Sequence, residues 1–174
     1  SLVPFAASSI PLVTLGTFFL WFGWFGFNGF SQLAMGTFDD VTAITKIAVN
    51  THLAGAAGVV TGAVVTRLLD SKTDVVMMLN GALAGLVAIT AEPLSPTPGL
   101  ALVIGSLGSL IMYFGTKFLE RRGLDDVVGA IPVHMFAGIF GTLIVPFSNA
   151  DTSFGTQFTG VIAVCSFSFV LSFI

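Results

Sequence analysis

The 174 residues are 55% hydrophobic and only 9% charged, with a mean hydropathy of +0.99 and a formal net charge of −3. A soluble domain carries roughly 25% charged residues, so no water-solvated core hides this much apolar surface. Six Lys and Arg leave no basic surface for a phosphate backbone, which excludes nucleic acid, and the single cysteine excludes an internal disulfide or a thiolate metal cluster.

The chain opens at Ser1 without a basic segment, short apolar stretch and cleavage site, and it closes in apolar sequence from Ser166 to Ile174. Both ends lead to the expectation of a fragment of a longer protein. Between them the apolar residues fall into six blocks, at 9–34, 43–66, 74–91, 99–118, 126–147 and 154–174. Each block is near the roughly 20 residues that cross a hydrocarbon core. The expected fold is all-α, a polytopic transmembrane helix bundle. The blocks are too long and too uniformly apolar to alternate inward and outward as barrel strands do.

In the first block Trp24, Phe27 and Ser31 fall on one helical face, with Ser31 one turn beyond Phe27. A ring face attracts a cation and a hydroxyl accepts a hydrogen bond, a combination suited to a small cation losing its water. An interfacial aromatic belt, or plain packing, accounts for the same residues. The second block carries His52 in Asn50-Thr51-His52-Leu53-Ala54-Gly55. It reads as a hydrogen-bonded structural histidine between helices, or as functional because ionisable groups at membrane depth are costly. Gly58 with Gly62, and Gly81 with Gly85 in the third block, mark faces where backbones approach closely, since lipid gives helices little hydrophobic reason to associate. In the fifth block His134 follows Pro132 and shares an i, i+4, i+7 stripe with Gly138 and Gly141, which predicts a closely packed, inward histidine, structural or functional. Cys165 in the sixth block reads as a small, packed apolar residue.

The connections carry the charge. Arg67 and Lys72 flank the second, and Lys117, Arg121 and Arg122 flank the fourth, whereas the first, third and fifth hold Asp39, Asp40, Glu92 and Asp151. By the positive-inside rule the second and fourth connections are cytoplasmic, so Ser1 starts inside.

Three strings in order carry a resemblance: Gly23-Trp24-Phe25-Gly26-Phe27-Asn28 with Ser31 following, Asn80-Gly81-Ala82-Leu83-Ala84-Gly85-Leu86-Val87-Ala88-Ile89-Thr90, and Asp125-Asp126 eight residues before His134. They resemble the ammonium transporter family, which includes the Rh proteins. The resemblance implies helices six to eleven of an eleven-helix fold, with 1–174 a partial membrane domain holding the second of two inverted repeats and the pore between the repeats, a recurrent transporter design. It implies that Ser31 belongs to an outer recruitment site, that Phe27 is the inner ring of a gate, and that His134 is the second of two pore histidines, the first lying on the preceding helix. His52 falls on the seventh helix, away from those pore positions.

The expected function is transmembrane transport of ammonium or ammonia through a hydrophobic pore, with no covalent chemistry, cofactor or metal. The alternatives are an ammonium sensor coupled to a signalling module and an Rh-like ammonia gas channel. Expected partners are the lipid bilayer, two further copies in a homotrimer and, within the family's range, a cytoplasmic P-II type regulator. The expected location is a cell membrane, plasma or inner. The sequence departs from the family pattern at Gly129, where many members have aspartate, at Met135, Phe136 and Ala137, where glycines are common, and at Phe30, where glycine is usual. These changes bear on conductance and on packing near the pore more than on membership.

Overall fold

The computed structural model describes residues 8–173, and among them every regular element is helical. Helix α1 spans Ile10–Gly29 and tightens into a 3-10 turn at Phe30–Gln32. Helices α2 (Phe38–Leu69), α3 (Val75–Thr90) and α4 (Pro98–Arg121) follow. A π-helical segment at Ile131–Phe136 leads into α5 (Ala137–Ile144), a 3-10 turn at Val145–Phe147 closes it, and α6 spans Phe154–Leu171. Four stretches, Ile10–Gln32, Phe38–Leu69, Pro98–Arg121 and Phe154–Leu171, are long and apolar enough to cross a membrane; Val75–Thr90 and Ile131–Phe147 are apolar but shorter.

Polar side chains set the helix starts. Ser9, Thr37, Asp74, Thr97 and Ser153 each accept a hydrogen bond from an amide three residues on, which satisfies a donor the helix cannot pair itself. At Thr37 the cap is reciprocal, because the Asp40 carboxylate accepts from the Thr37 amide at 3.0 Å. This box, with Asp39 and Asp40 in the first turn, starts α2 five residues ahead of its apolar block at 43–66. The fifth block differs too: 126–129 is not helical. Gly129 turns left-handed there (φ +73°), and a Cβ on it would meet the Asn80 amide nitrogen at 2.6 Å.

Helices α2, α3 and α4 form the centre, and their backbones meet over small residues. A Cβ on Gly81 would stand 2.6 Å from the Gly58 carbonyl oxygen, and the Ser109 hydroxyl donates to that same oxygen at 2.9 Å. The glycine spacing therefore marks a real contact face. Around it Leu83, Leu86, Met112, Val133 and Ala137 form one buried cluster, against which Trp21 and Trp24 of α1 pack. Helix α6 rests on α5 and buries none of its residues.

Side-chain bonds tie the connections into two groups. The Tyr113 hydroxyl donates to Asp70 at 3.0 Å and Lys117 pairs with Asp70 at 3.6 Å, so the connections after α2 and α4 share one end. At the other end the buried Asn50 amide donates to the carbonyls of Pro93 and Pro96, both at 2.9 Å, and the Asn149 amide donates to Glu92 at 2.8 Å.

Candidate pore-lining site

Phe27 lies near the end of α1, and its ring is 67% exposed. Its neighbour is fixed: the Trp24 indole N–H donates to Thr90 of α3 at 2.8 Å, and the two rings stand 5.7 Å apart. Asn28, beside Phe27, is buried and its amide donates to the buried Thr51 of α2 at 3.0 Å. An otherwise open ring is thus mounted on a helix end tethered to both α2 and α3. Ser31 sits in the 3-10 turn and is exposed, and its hydroxyl donates to the Asn28 carbonyl. With its proton committed, the oxygen presents lone pairs outward, the polarity a cation requires. Trp24, Phe27 and Ser31 therefore stand together, although Ser31 is carried by a turn rather than by the helical face expected of it.

His134 stands elsewhere. It lines a cleft of about 1230 Å³ between α5 and α6, shared with Met135, Gly138, Ile139 and Thr142, and neither Phe27 nor Ser31 borders that cleft. The expected stripe is corrected here. Val133, Ala137 and Gly141 carry the close packing, with Gly141 against the Ala88 backbone, while His134 is exposed. The π segment is the reason, since its wider turns rotate His134 away from the face that Gly141 holds. Pro132 contributes no amide hydrogen to that segment, and the Asp126 carboxylate accepts from the amides of Ala130 at 2.9 Å and Ile131 at 2.7 Å. Asp126 thereby fixes the start of the element that aims the histidine.

Two further expectations are corrected. His52 is exposed and has no hydrogen bond among the described residues. It lies against the rings of Trp21 (5.5 Å between centroids) and Phe25 (6.2 Å), and it borders no part of the His134 cleft. Cys165 is not packed but exposed, on the cleft wall that α6 supplies, because no helix among the described residues covers α6 there. Sequence reasoning also missed Asn28, Thr51 and Asn50 as tethers. Their signal was present, since polar side chains inside apolar blocks need partners.

Comparison with known proteins follows the same lines. The sequence profile of the Ammonium Transporter Family matches residues 3–174. Ammonium transporter Amt2 of Archaeoglobus fulgidus is 47% identical over 151 residues, covering 87% of this chain and 31% of that protein. Ammonium transporter Amt2 of Methanocaldococcus jannaschii is 38% identical over 144 residues, covering 82% and 31%. The chain therefore spans about a third of the length of these curated relatives. Among solved structures, one titled Sensor Amt Protein superposes with a TM-score of 0.85 at 36% identity, covering 94% of this chain and 42% of that one. Mep2 of Candida albicans does so with a TM-score of 0.85 at 27% identity, covering 94% and 39%. The relatives are named as transporters and not as enzymes. Their kinship and the apolar helices make this an integral, multi-pass membrane protein.

Proposed function

This chain belongs to the ammonium transporter family, and on that premise we propose that it supplies one wall of a pore through which ammonium or ammonia crosses a cell membrane. The observation that carries the reading is the position of His134, an imidazole aimed by a π segment into a mostly apolar cleft between two apolar helices. A neutral imidazole offers one donor and one acceptor nitrogen, which suits neutral ammonia or a proton in transit. A full ammonium ion must shed water at considerable cost to follow. Phe27 and Ser31 stand at the capture end, where an exposed ring and an outward hydroxyl oxygen together stabilise a partly dehydrated cation.

The working unit in this proposal is a homotrimer in the plasma or inner membrane, with Arg67, Lys72, Lys117, Arg121 and Arg122 facing the cytoplasm, where a P-II type regulator would dock. A second reading, ammonium sensing, draws support from the similarity to the Sensor Amt Protein. The deciding experiment is His134→Glu in the complete protein, with uptake of ammonium, methylammonium and potassium measured side by side. Altered selectivity among the three in a protein that still assembles is the expected result. Unchanged transport of all three would make His134 structural and end this reading of the site.

A further inference from the structure

The 3-10 turn that carries Ser31 is joined to α2 by only five residues, 33–37. The chain leaves that turn through Leu33 in the left-handed region (φ +60°), which a bulky side chain adopts only where its surroundings hold it. One carboxylate does much of the holding. Asp40 accepts from the Gln32 side-chain amide at 3.0 Å on one oxygen, and on the other from the Thr37 backbone amide at 3.0 Å and the Thr37 hydroxyl at 2.7 Å. It therefore closes the connection at both ends, beside Ser31 at the first and in the opening turn of α2 at the second.

The helix cap of α2 uses only the oxygen that faces Thr37. The other oxygen reaches back eight residues to Gln32, a bond that the cap does not need. A carboxylate only accepts, so the amide nitrogen of Gln32 must be the end that faces it. Both side chains are half-buried, and a hydrogen bond to an ionised group is stronger than one between neutral groups. Ser31, next in the chain to Gln32, is exposed.

We propose that Gln32 and Asp40 are positioning residues for the capture end: the bond between them holds the turn so that the Ser31 oxygen faces outward near the Phe27 ring. The inference rests on the reading of Ser31 as a capture residue and adds to it a part that touches no substrate. The Ser31 proton goes to the Asn28 carbonyl, so the aim of its lone pairs follows the aim of the turn. Upstream, Asn28 anchors the turn to Thr51 of α2. Downstream, Gln32 makes the turn's one side-chain hydrogen bond to another element among the described residues. Breaking it frees that end and leaves the Asn28 and Trp24 tethers in place.

An acid near Ser31 also attracts cations by its charge alone. The two roles predict opposite outcomes for Gln32→Glu, which sets a second carboxylate against the first and breaks the bond while adding negative charge. The test measures ammonium uptake by the complete protein over a range of concentrations, with the amount in the membrane determined for each variant. Gln32→Glu should raise the half-saturating concentration about threefold and keep the maximal rate. Adding Asp40→Asn exchanges donor and acceptor between the two positions at the original net charge, and should return the value to that of the unaltered protein. A value lowered or unchanged by Gln32→Glu, or a double variant no better than the single one, overturns the positioning role. Ser31→Ala runs alongside. If it raises the value and Gln32→Glu does not, the positioning role falls and the capture reading stands; if it leaves the curve unaltered, both fall.

Discussion

Ser31 shows how one hydrogen bond sets the polarity of a site. Its proton goes to the Asn28 carbonyl, so its oxygen can only accept from what arrives outside. Ser31→Ala removes that acceptor and leaves the ring of Phe27 and its Trp24 support in place. The expected result is a two- to tenfold higher half-saturating ammonium concentration, about the weight of one hydrogen bond of ~0.5–1.5 kcal/mol, with the maximal rate kept. Uptake measured over a range of ammonium concentrations decides it, and an unaltered curve returns Ser31 to packing. The identity of Phe27, Ser31 and His134 as candidates was legible in the sequence from their motifs. The direction of the Ser31 hydroxyl was not, since it depends on a backbone carbonyl three residues away.

Among the elements, the α2–α3 contact and the π segment differ in how much the sequence discloses. The Gly58/Gly62 and Gly81/Gly85 spacings announced faces of close backbone approach, whereas the meeting of Gly58 with Gly81 shows only in the structure. A Cβ on Gly58 meets the Gly81 backbone, which cannot yield as a flexible side chain would. Gly58→Ala should therefore cost about 1–3 kcal/mol, the usual penalty of overpacking, and lower the unfolding temperature of the purified protein. Gly23→Ala is the matched control: a Cβ there meets nothing within 4 Å, and alanine's better helix propensity, ~1 kcal/mol, should leave stability equal or higher. If both variants unfold alike, the contact contributes nothing. The π segment was not legible, because its extra width shows in no residue count. Pro132 signalled a break, yet only the Asp126 carboxylate on two successive amides shows where the winding begins, and the turn of His134 follows from it. The i, i+4, i+7 argument assumed a regular helix and therefore grouped His134 with the packed Gly141, whereas His134 shares its cleft with Gly138 alone of the two glycines.

For the whole molecule, pairing of the connections gives the orientation a test. Asp70 joins the α2 and α4 ends, Glu92 joins the opposite connections, and the Lys and Arg residues concentrate at the first of these. In a Cys165→Ser background, Thr73→Cys and Ala150→Cys should react with an impermeant thiol reagent from opposite sides, Ala150→Cys from outside. Reaction of both from one side would overturn the proposed topology. Thickness also varies across the bundle. Helix α3 has 16 residues, about 24 Å at 1.5 Å per residue, against roughly 30 Å of hydrocarbon, and it lies among α1, α2, α4 and α5, which spare its short length from lipid. The electrical consequence concerns voltage. A membrane potential is worth ~2.3 kcal/mol per elementary charge per 100 mV whatever the path and whatever the length of the helix beside it. A cation crossing the bilayer therefore works against the whole potential, while a neutral molecule taking the same route does no electrical work.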